Sequence, residues 1–168
     1  MIFVTVGTHE QPFNRLIEYI DKLVGSNVLN EEVIIQTGFS TYEPKYCQWK
    51  KLYSYQQMTA LTSKARIIIT HGGPSSFIMP LQIGKIPIVI PRQKKYGEHV
   101  NDHQLHFVTE VAKRMGNIIA VINVEKLLDT INYYDEIIKD MNNRNVCNNQ
   151  KFCDDFEKIV NEMQQIKV

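Results

Sequence analysis

Ile67-Ile68-Ile69-Thr70-His71-Gly72-Gly73-Pro74-Ser75-Ser76 is the stretch that decides the fold of this chain. An apolar, β-branched run opens into a histidine and a glycine pair, then a proline, two hydroxyls and a helical pattern. A buried strand that feeds a helix through a glycine-rich turn is half of a βαβ unit. The same turn has a chemical use. Glycines let backbone amides approach a ligand closely, and the new helix points its free N–H groups and positive dipole end at the same spot. The plain structural alternative, a tight turn with Ser75 as the helix cap, leaves the second glycine and the strand-end His71 without a reason.

Outward from this turn the same rhythm repeats. Ile2 to Val6 reads as a buried strand that enters the polar loop Gly7-Thr8-His9-Glu10-Gln11-Pro12, and Phe13, Leu16, Ile17, Ile20, Leu23 and Val24 form a helical stripe behind it. Val33 to Gln36 is a second strand closed by Thr37-Gly38. Phe39 to Lys51 is polar and aromatic and is expected to be an irregular loop. Ser54 is placed to cap a helix from Tyr55 to Ser63. After the His71 turn come a helix from Ser75 to Ile83, a stop at Gly84, a strand from Pro87 to Ile90 and a polar loop from Pro91 to Gln104. A helix from about Asn101 to Met115, a fifth strand from Ile118 to Ile122 and a helical remainder to Val168, broken by the Asn-rich stretch 142–149, complete the chain. Five-residue strands alternating with longer helices predict one α/β domain over residues 1–168, a parallel sheet with helices on both faces. Ligands of such folds sit at the carboxyl ends of the strands, where the loops at Gly7, Gly38, His71 and Pro91 can converge.

The bulk composition excludes several classes. A length of 168 residues suits one domain with a real core, and 43% hydrophobic and 22% charged residues are ordinary for a globular protein. A net charge of +1 gives no case for nucleic-acid binding. Cys47, Cys147 and Cys153 form no CxxC pair, which speaks for reduced thiols in a cytoplasmic setting. No stretch approaches the roughly 20 apolar residues of a membrane span, and the short apolar N-terminus lacks a signal-peptide pattern.

Within the loops, the His71 turn offers the amides of Gly72 and Gly73 and the hydroxyls of Ser75 and Ser76 to a diphosphate or ribose. Neither GxGxxG nor GxxxxGK[ST] is present, so the usual dinucleotide fingerprint and the P-loop are disfavoured. The second loop gathers Arg92, Gln93, Lys94, Glu98, His99, Asn101, Asp102, His103 and Gln104. Arg92 or Lys94 can neutralise phosphate, while Asn101, Asp102 and Gln104 can read sugar hydroxyls; a merely solvated loop is the default alternative. His99 and His103 have helical metal-ligand spacing, but no HExxH and no cysteine cluster completes a site, so no metal is expected. His9 and Glu10 form a candidate acid/base pair or acceptor contact, with Thr8 as a possible helix cap.

Taken together, the block GTHEQPFNRLI and the block ITHGGPSSFIMPLQIGKIPIVIPRQKKYGEHVNDHQ resemble the C-terminal, donor-binding half of GT-B glycosyltransferases of the family 28 type, and within it the single-domain branch. That branch includes capsular β-1,4-galactosyltransferase subunits and the small catalytic subunit of the dolichol-linked N-acetylglucosamine transferase. The resemblance covers residues 1–122 with specific motifs. It implies a Rossmann-like domain, transfer from a UDP-sugar to a lipid-diphosphate-linked saccharide, and no bound metal or cofactor. By position it assigns Gly7 and Thr8 to a phosphate-side loop. Gly72, Gly73, Ser75 and Ser76 fall to the diphosphate, and Gln93, Asn101, Asp102 and Gln104 to the donor sugar. Related domains carry a ribose-gripping glutamate on the helix after the turn, where this chain has Met79.

The resemblance also implies that the acceptor half is a separate, membrane-anchored subunit that holds this chain at the inner face of the cell membrane. The expected function is therefore the catalytic subunit of an inverting hexosyltransferase of capsule or exopolysaccharide synthesis, with galactose favoured as the sugar. His9 or Glu10 is the candidate base, unless the partner supplies it. Two other readings stay open, a non-catalytic docking or activating subunit and a UDP-sugar epimerase-like protein.

Overall fold

A computed structural model describes residues 1–142 of the chain. The elements follow one another as β1 (Ile2–Thr5), α1 (Asn14–Gly25), β2 (Val33–Gln36), β3 (Gln48–Lys50), α2 (Tyr55–Lys64), β4 (Ile67–His71), α3 (Pro74–Gln82), β5 (Ile88–Ile90), α4 (His103–Met115), β6 (Ile119–Ala120), α5 (Leu127–Asn132) and α6 (Tyr134–Asn142). Short 3-10 turns at Lys94–Tyr96 and Val124–Lys126 precede α4 and α5. The six strands form a single sheet in the order β3-β2-β1-β4-β5-β6, with every pairing parallel. The order reverses at β1, which has β2 on one side and β4 on the other. A doubly wound sheet opens its crevice outside the carboxyl ends of the strands at such a switch point.

Period-two alternation assigns the two faces. Ile2 and Val4, Ile67 and Ile69, and Ile88 and Ile90 enter one core with Leu16, Ile17 and Ile20 of α1 and Leu127 and Ile131 of α5. Their neighbours Phe3 and Ile68 pack on the opposite face against Met58 and Leu61 of α2, and Val89 against Phe77 of α3 and Val108 of α4. Both faces are thus covered, as strands apolar at every position require. Each of these fully buried aliphatic side chains contributes about 2 kcal/mol relative to exposure.

Local signals fixed most boundaries. Ser54 and Gln57 exchange side-chain-to-backbone bonds in a capping box at the start of α2. Gly84 and Gly116 adopt left-handed backbone after α3 and α4. Ser75 is not the cap of α3. Gly73 takes that position without a side-chain bond and Pro74 opens the helix.

The stretch 39–51 departs from the expected loop, because Gln48–Lys50 pairs with β2 as an edge strand. All three residues are exposed, so no hydrophobic alternation marks them. Their placement comes from Asp21, a fully buried carboxylate on α1. It accepts hydrogen bonds from the Tyr42 hydroxyl at 2.8 Å and from the amides of Lys45, Tyr46 and Cys47 at 2.9–3.0 Å. The predicted helical remainder is met by α5 and α6; residues 143–168, with most of the Asn-rich break, lie outside the described residues.

Burial raises the Asp21 pKa, but these four donors outweigh it and hold the pKa below the usual aspartate value. Its contribution is present above the unfolded pKa of about 3.9 and is lost as pH falls through the lower folded value. Asp21→Asn is expected to cost about 3 kcal/mol at pH 7 and to lose that penalty in acid. Urea melts at pH 7 and at steps below pH 4 measure the penalty and its progressive loss; an unchanged midpoint at pH 7 would remove Asp21 from this role.

Candidate functional site

An open cleft of about 560 Å³ lies at the carboxyl ends of β1, β2 and β4, at the switch point of the sheet. One end is polar, formed by Thr5, Gly7, Thr8 and His9 after β1 and by His71, Ser75 and Ser76 after β4. The other end is aromatic and apolar, formed by Leu52, Tyr53, Tyr55 and Met58 around the start of α2, with Ile68 and Met79. Thr62 donates from its hydroxyl to the Met79 sulfur at 3.6 Å, so the thioether that stands at the expected glutamate position faces a polar neighbour inside this wall.

The His71 ring organises the polar end. It is buried, and it occupies space that a side chain on either Gly7 or Gly73 would need, since a Cβ at each would collide with the imidazole. Two of the glycines that looked like ligand cradles are therefore packing partners of a histidine. Gly7 also has φ of +74°, which independently favours glycine.

The amides of the turn are spent inside the protein. The Gly73 N–H donates to His71 Nδ1 at 3.0 Å, and the Gly72 N–H donates to Gln104 Oε1 at 3.1 Å. Expectation and structure differ here: the glycine amides are taken, the Ser76 amide donates to the Gly73 carbonyl at 3.0 Å, and the turn meets the cleft through His71, Ser75 and Ser76. Burial and then the nearby Arg92 charge push the His71 pKa down to about 4, so the ring is neutral at pH 7.

Four polar residues of the second loop are internal scaffolding. Arg92 has 0% exposure, and its guanidinium donates to the carbonyls of Val6 at 2.9 Å, Gln11 at 2.7 Å, Pro12 at 3.3 Å and Glu98 at 3.2 Å. Desolvation lowers its pKa to about 10 while Glu98 opposes the shift, leaving it charged at pH 7. Glu98 is held in a bidentate pair with Arg15 at 2.8 and 3.0 Å and accepts from the Gln93 amide at 3.0 Å. The Gln93 side chain donates to the Ile122 carbonyl at 2.9 Å. Gln104 Oε1 also accepts from the Arg92 amide at 3.2 Å.

Arg92, Gln93, Glu98 and Gln104 are buried and committed to these bonds. Of the expected sugar-reading group, only Asn101 and Asp102 reach the surface, where Asn101 accepts from the His103 amide and Asp102 from the Lys94 amide. None of the second-loop residues lines the cleft. A polar side chain in a strand-end loop reads the same in sequence whether it faces a ligand or a carbonyl of its own chain.

His9 lines the cleft, and Glu10 follows it outside the lining residues. The His9 ring lies on the His99 ring with centroids 4.8 Å apart. Burial, Arg92 and His99 all lower the His9 pKa, against a weaker opposing effect of Glu10. Its Nδ1 accepts the Gln11 N–H at 3.2 Å, so the neutral ring presents Nε2–H and acts as a donor. Glu10 is exposed, with a free carboxylate among the described residues. No group of three or more His, Cys, Asp or Glu side chains is placed to hold a metal among the described residues.

The aromatic end of the cleft was not anticipated. Its signal was present in Leu52-Tyr53-Ser54-Tyr55, four residues in which only the Ser54 cap was legible. A second open groove of about 470 Å³ lies along α1, lined by Asn14, Arg15, Lys22 and Tyr96, among others. Its central cation, Arg15, is already paired to Glu98.

The model of the glycosyltransferase family 28 C-terminal domain matches residues 1–160. The chain belongs to this family. It is a GT-B donor-binding domain by that membership, and its parallel α/β sheet agrees. Among solved structures it is similar to the one described as the glycotransferase of kitacinnamycin, with 14% identity and a TM-score of 0.57. That match covers 84% of this chain and 37% of the other. It also matches the glycosyltransferase SnogD from Streptomyces nogalater, with 18% identity and a TM-score of 0.47, over 82% of this chain and 37% of the other. The chain thus spans little more than a third of these proteins. No curated protein matches it. No helix among the described residues is long and apolar enough to cross a membrane.

The buried neutral His71 has a measurable consequence. Between the free histidine pKa of about 6.5 and the folded value of about 4, the unfolded chain takes up a proton that the folded chain refuses. His71 therefore lowers stability as pH falls through that window, by about 1.4 kcal/mol per unit. Guanidinium melts at pH 7, 6 and 5 are expected to show a slope that flattens in His71→Gln; equal slopes in the two proteins would contradict a neutral buried ring.

Proposed function

We propose that this chain is the donor-binding, catalytic subunit of an inverting glycosyltransferase that moves a hexose from a UDP-sugar to a lipid-diphosphate-linked saccharide. The observation that carries the reading is the two-ended cleft at the switch point. Its volume is in the range of small-molecule sites. Tyr53, Tyr55, Leu52 and Met58 offer a flat apolar seat for a nucleobase, while Ser75, Ser76, Thr8 and the amino end of α3 offer donors to a diphosphate. Family membership supplies the reaction class, and the motif HGGPSSF with PRQKKYGEHVNDHQ favours galactose and a role in capsule or exopolysaccharide synthesis.

In the proposed reaction, a base removes the acceptor hydroxyl proton as that oxygen attacks the anomeric carbon. The bond to the diphosphate oxygen breaks in the same step. Donors at the start of α3 offset the charge that develops on the departing UDP. Of the two candidate bases on this chain, Glu10 keeps an unspent acceptor beside the cleft-lining His9, which spends its accepting nitrogen on Gln11. No metal is needed in this scheme, because helix dipole and hydroxyls take the phosphate charge.

The acceptor is expected to be held by a membrane-anchored partner subunit, which would place this chain at the inner face of the membrane. Transfer from radiolabelled UDP-sugars to a lipid-linked acceptor, with and without the partner, tests the reading. UDP-galactose-dependent transfer with the partner, reduced at least tenfold by Ser75→Ala combined with Ser76→Ala, is expected. UDP binding without transfer in any combination would favour the docking-subunit alternative, and sugar interconversion without an acceptor would favour the epimerase-like one.

A further inference from the structure

Three helical threonines in this chain share a habit. Thr59, Thr109 and Thr130 each donate to the carbonyl four residues back, at 2.8–3.0 Å, which uses up their protons within their own helices. Ser76 is different. It sits in the first turn of α3 and lines the cleft, and its hydroxyl lies 2.9 Å from His71 Nε2.

Which atom donates in that pair follows from the other side of the ring. The Gly73 N–H points at His71 Nδ1 at 3.0 Å, so Nδ1 must present a lone pair. A neutral imidazole with a bare Nδ1 carries its proton on Nε2. Nε2–H therefore donates to Ser76 Oγ, and the serine oxygen is the acceptor. Its own proton has no protein acceptor among the described residues, and the open direction is the cleft.

We propose that His71 is a positioning residue that makes the Ser76 hydroxyl an obligate donor to an anionic phosphate oxygen of the ligand in the cleft. The device rests on the nucleotide-diphosphate reading above and deepens it by naming which hydroxyl grips the phosphate and what aims it. It also gives the glycines a mechanistic reason. Gly7 and Gly73 leave room for the ring, and the Gly73 amide fixes the tautomer, so the turn serves the ligand through a histidine and a serine. A hydroxyl free to rotate can accept or donate; one already accepting from Nε2–H is set to donate.

The test is a double-mutant cycle read by calorimetric titration with UDP and with uridine, alongside the ring nitrogen spectrum of the wild-type chain. Ser76→Ala is expected to weaken UDP about tenfold, the scale of one hydrogen bond to a charged group, and to leave uridine unchanged. His71→Leu should give the same selective loss, and no further loss when added to Ser76→Ala. His71→Gln, whose amide N–H can reach the place of Nε2–H, should restore most of the affinity.

Long-range nitrogen–proton correlation at pH 7 should show the Nε2–H tautomer of His71, a measurement that needs no variant to fold. An Nδ1–H tautomer overturns the proposal. So do additive losses in the double variant, or equal losses for UDP and uridine. A wild-type chain that binds neither ligand overturns the nucleotide reading and this proposal with it, whereas binding of both with uncoupled variants overturns this proposal alone.

Discussion

A single positive charge removed from water holds the site-bearing end of this fold in shape. The Arg92 guanidinium is buried at the end of the sheet and is surrounded by carbonyl oxygens from Val6, Gln11, Pro12 and Glu98. Its two terminal nitrogens are met by these carbonyls while Nε is buried without a partner, so losing any of the four would leave the charge still less compensated, and the loop after β1 and the loop after β5 must keep their mutual arrangement. The ring of Phe13 lies 4.9 Å from the guanidinium carbon, and Arg15 lies on the same ring at 5.4 Å before pairing with Glu98. The start of α1 is thereby locked to the second loop. His71 feels the same charge, which helps keep its ring neutral.

From that constraint follows the division of labour at the strand ends. Polar groups of the second loop hold the frame: Arg92 grips the first loop, Gln104 holds the Gly72 and Arg92 amides, and Glu98 holds Arg15. The groups left over for a ligand come from the first loop, from the start of α3 and from the start of α2. A rigid frame with a few unspent donors is what a site needs if those donors are to meet developing charge without reorganising.

The fold was largely legible in the residues because its strands are short, apolar and flanked by glycine or proline. Ile67–His71 and Ile2–Thr5 carry that signal, and the alternation of strands with helical stripes carries the parallel topology. The edge strand Gln48–Lys50 was not legible. It has no buried face, and its position depends on Asp21, more than twenty residues away in sequence. The site was legible in location but not in detail. Thr8, Ser75 and Ser76 line the cleft as their loops promised. Gly72 and Gly73 do not lend it their amides, because a glycine that makes room for a ligand and one that makes room for a histidine leave the same mark in sequence. The wall formed by Tyr53, Tyr55 and Met58 was missed because aromatic residues before a capped helix read equally well as core.

The central claim is that the cleft between the ends of β1 and β4 takes the nucleotide diphosphate, with phosphate at the start of α3 and the base against the aromatic wall. Amide and side-chain chemical-shift mapping on titration with UDP addresses it most directly. The account predicts saturable shifts concentrated at Gly7, Thr8, Tyr53, Tyr55, Ser75 and Ser76, with the groove of Asn14, Lys22 and Tyr96 unaffected. Shifts centred on that second groove, or none at Ser75 and Ser76 at saturating UDP, would contradict it.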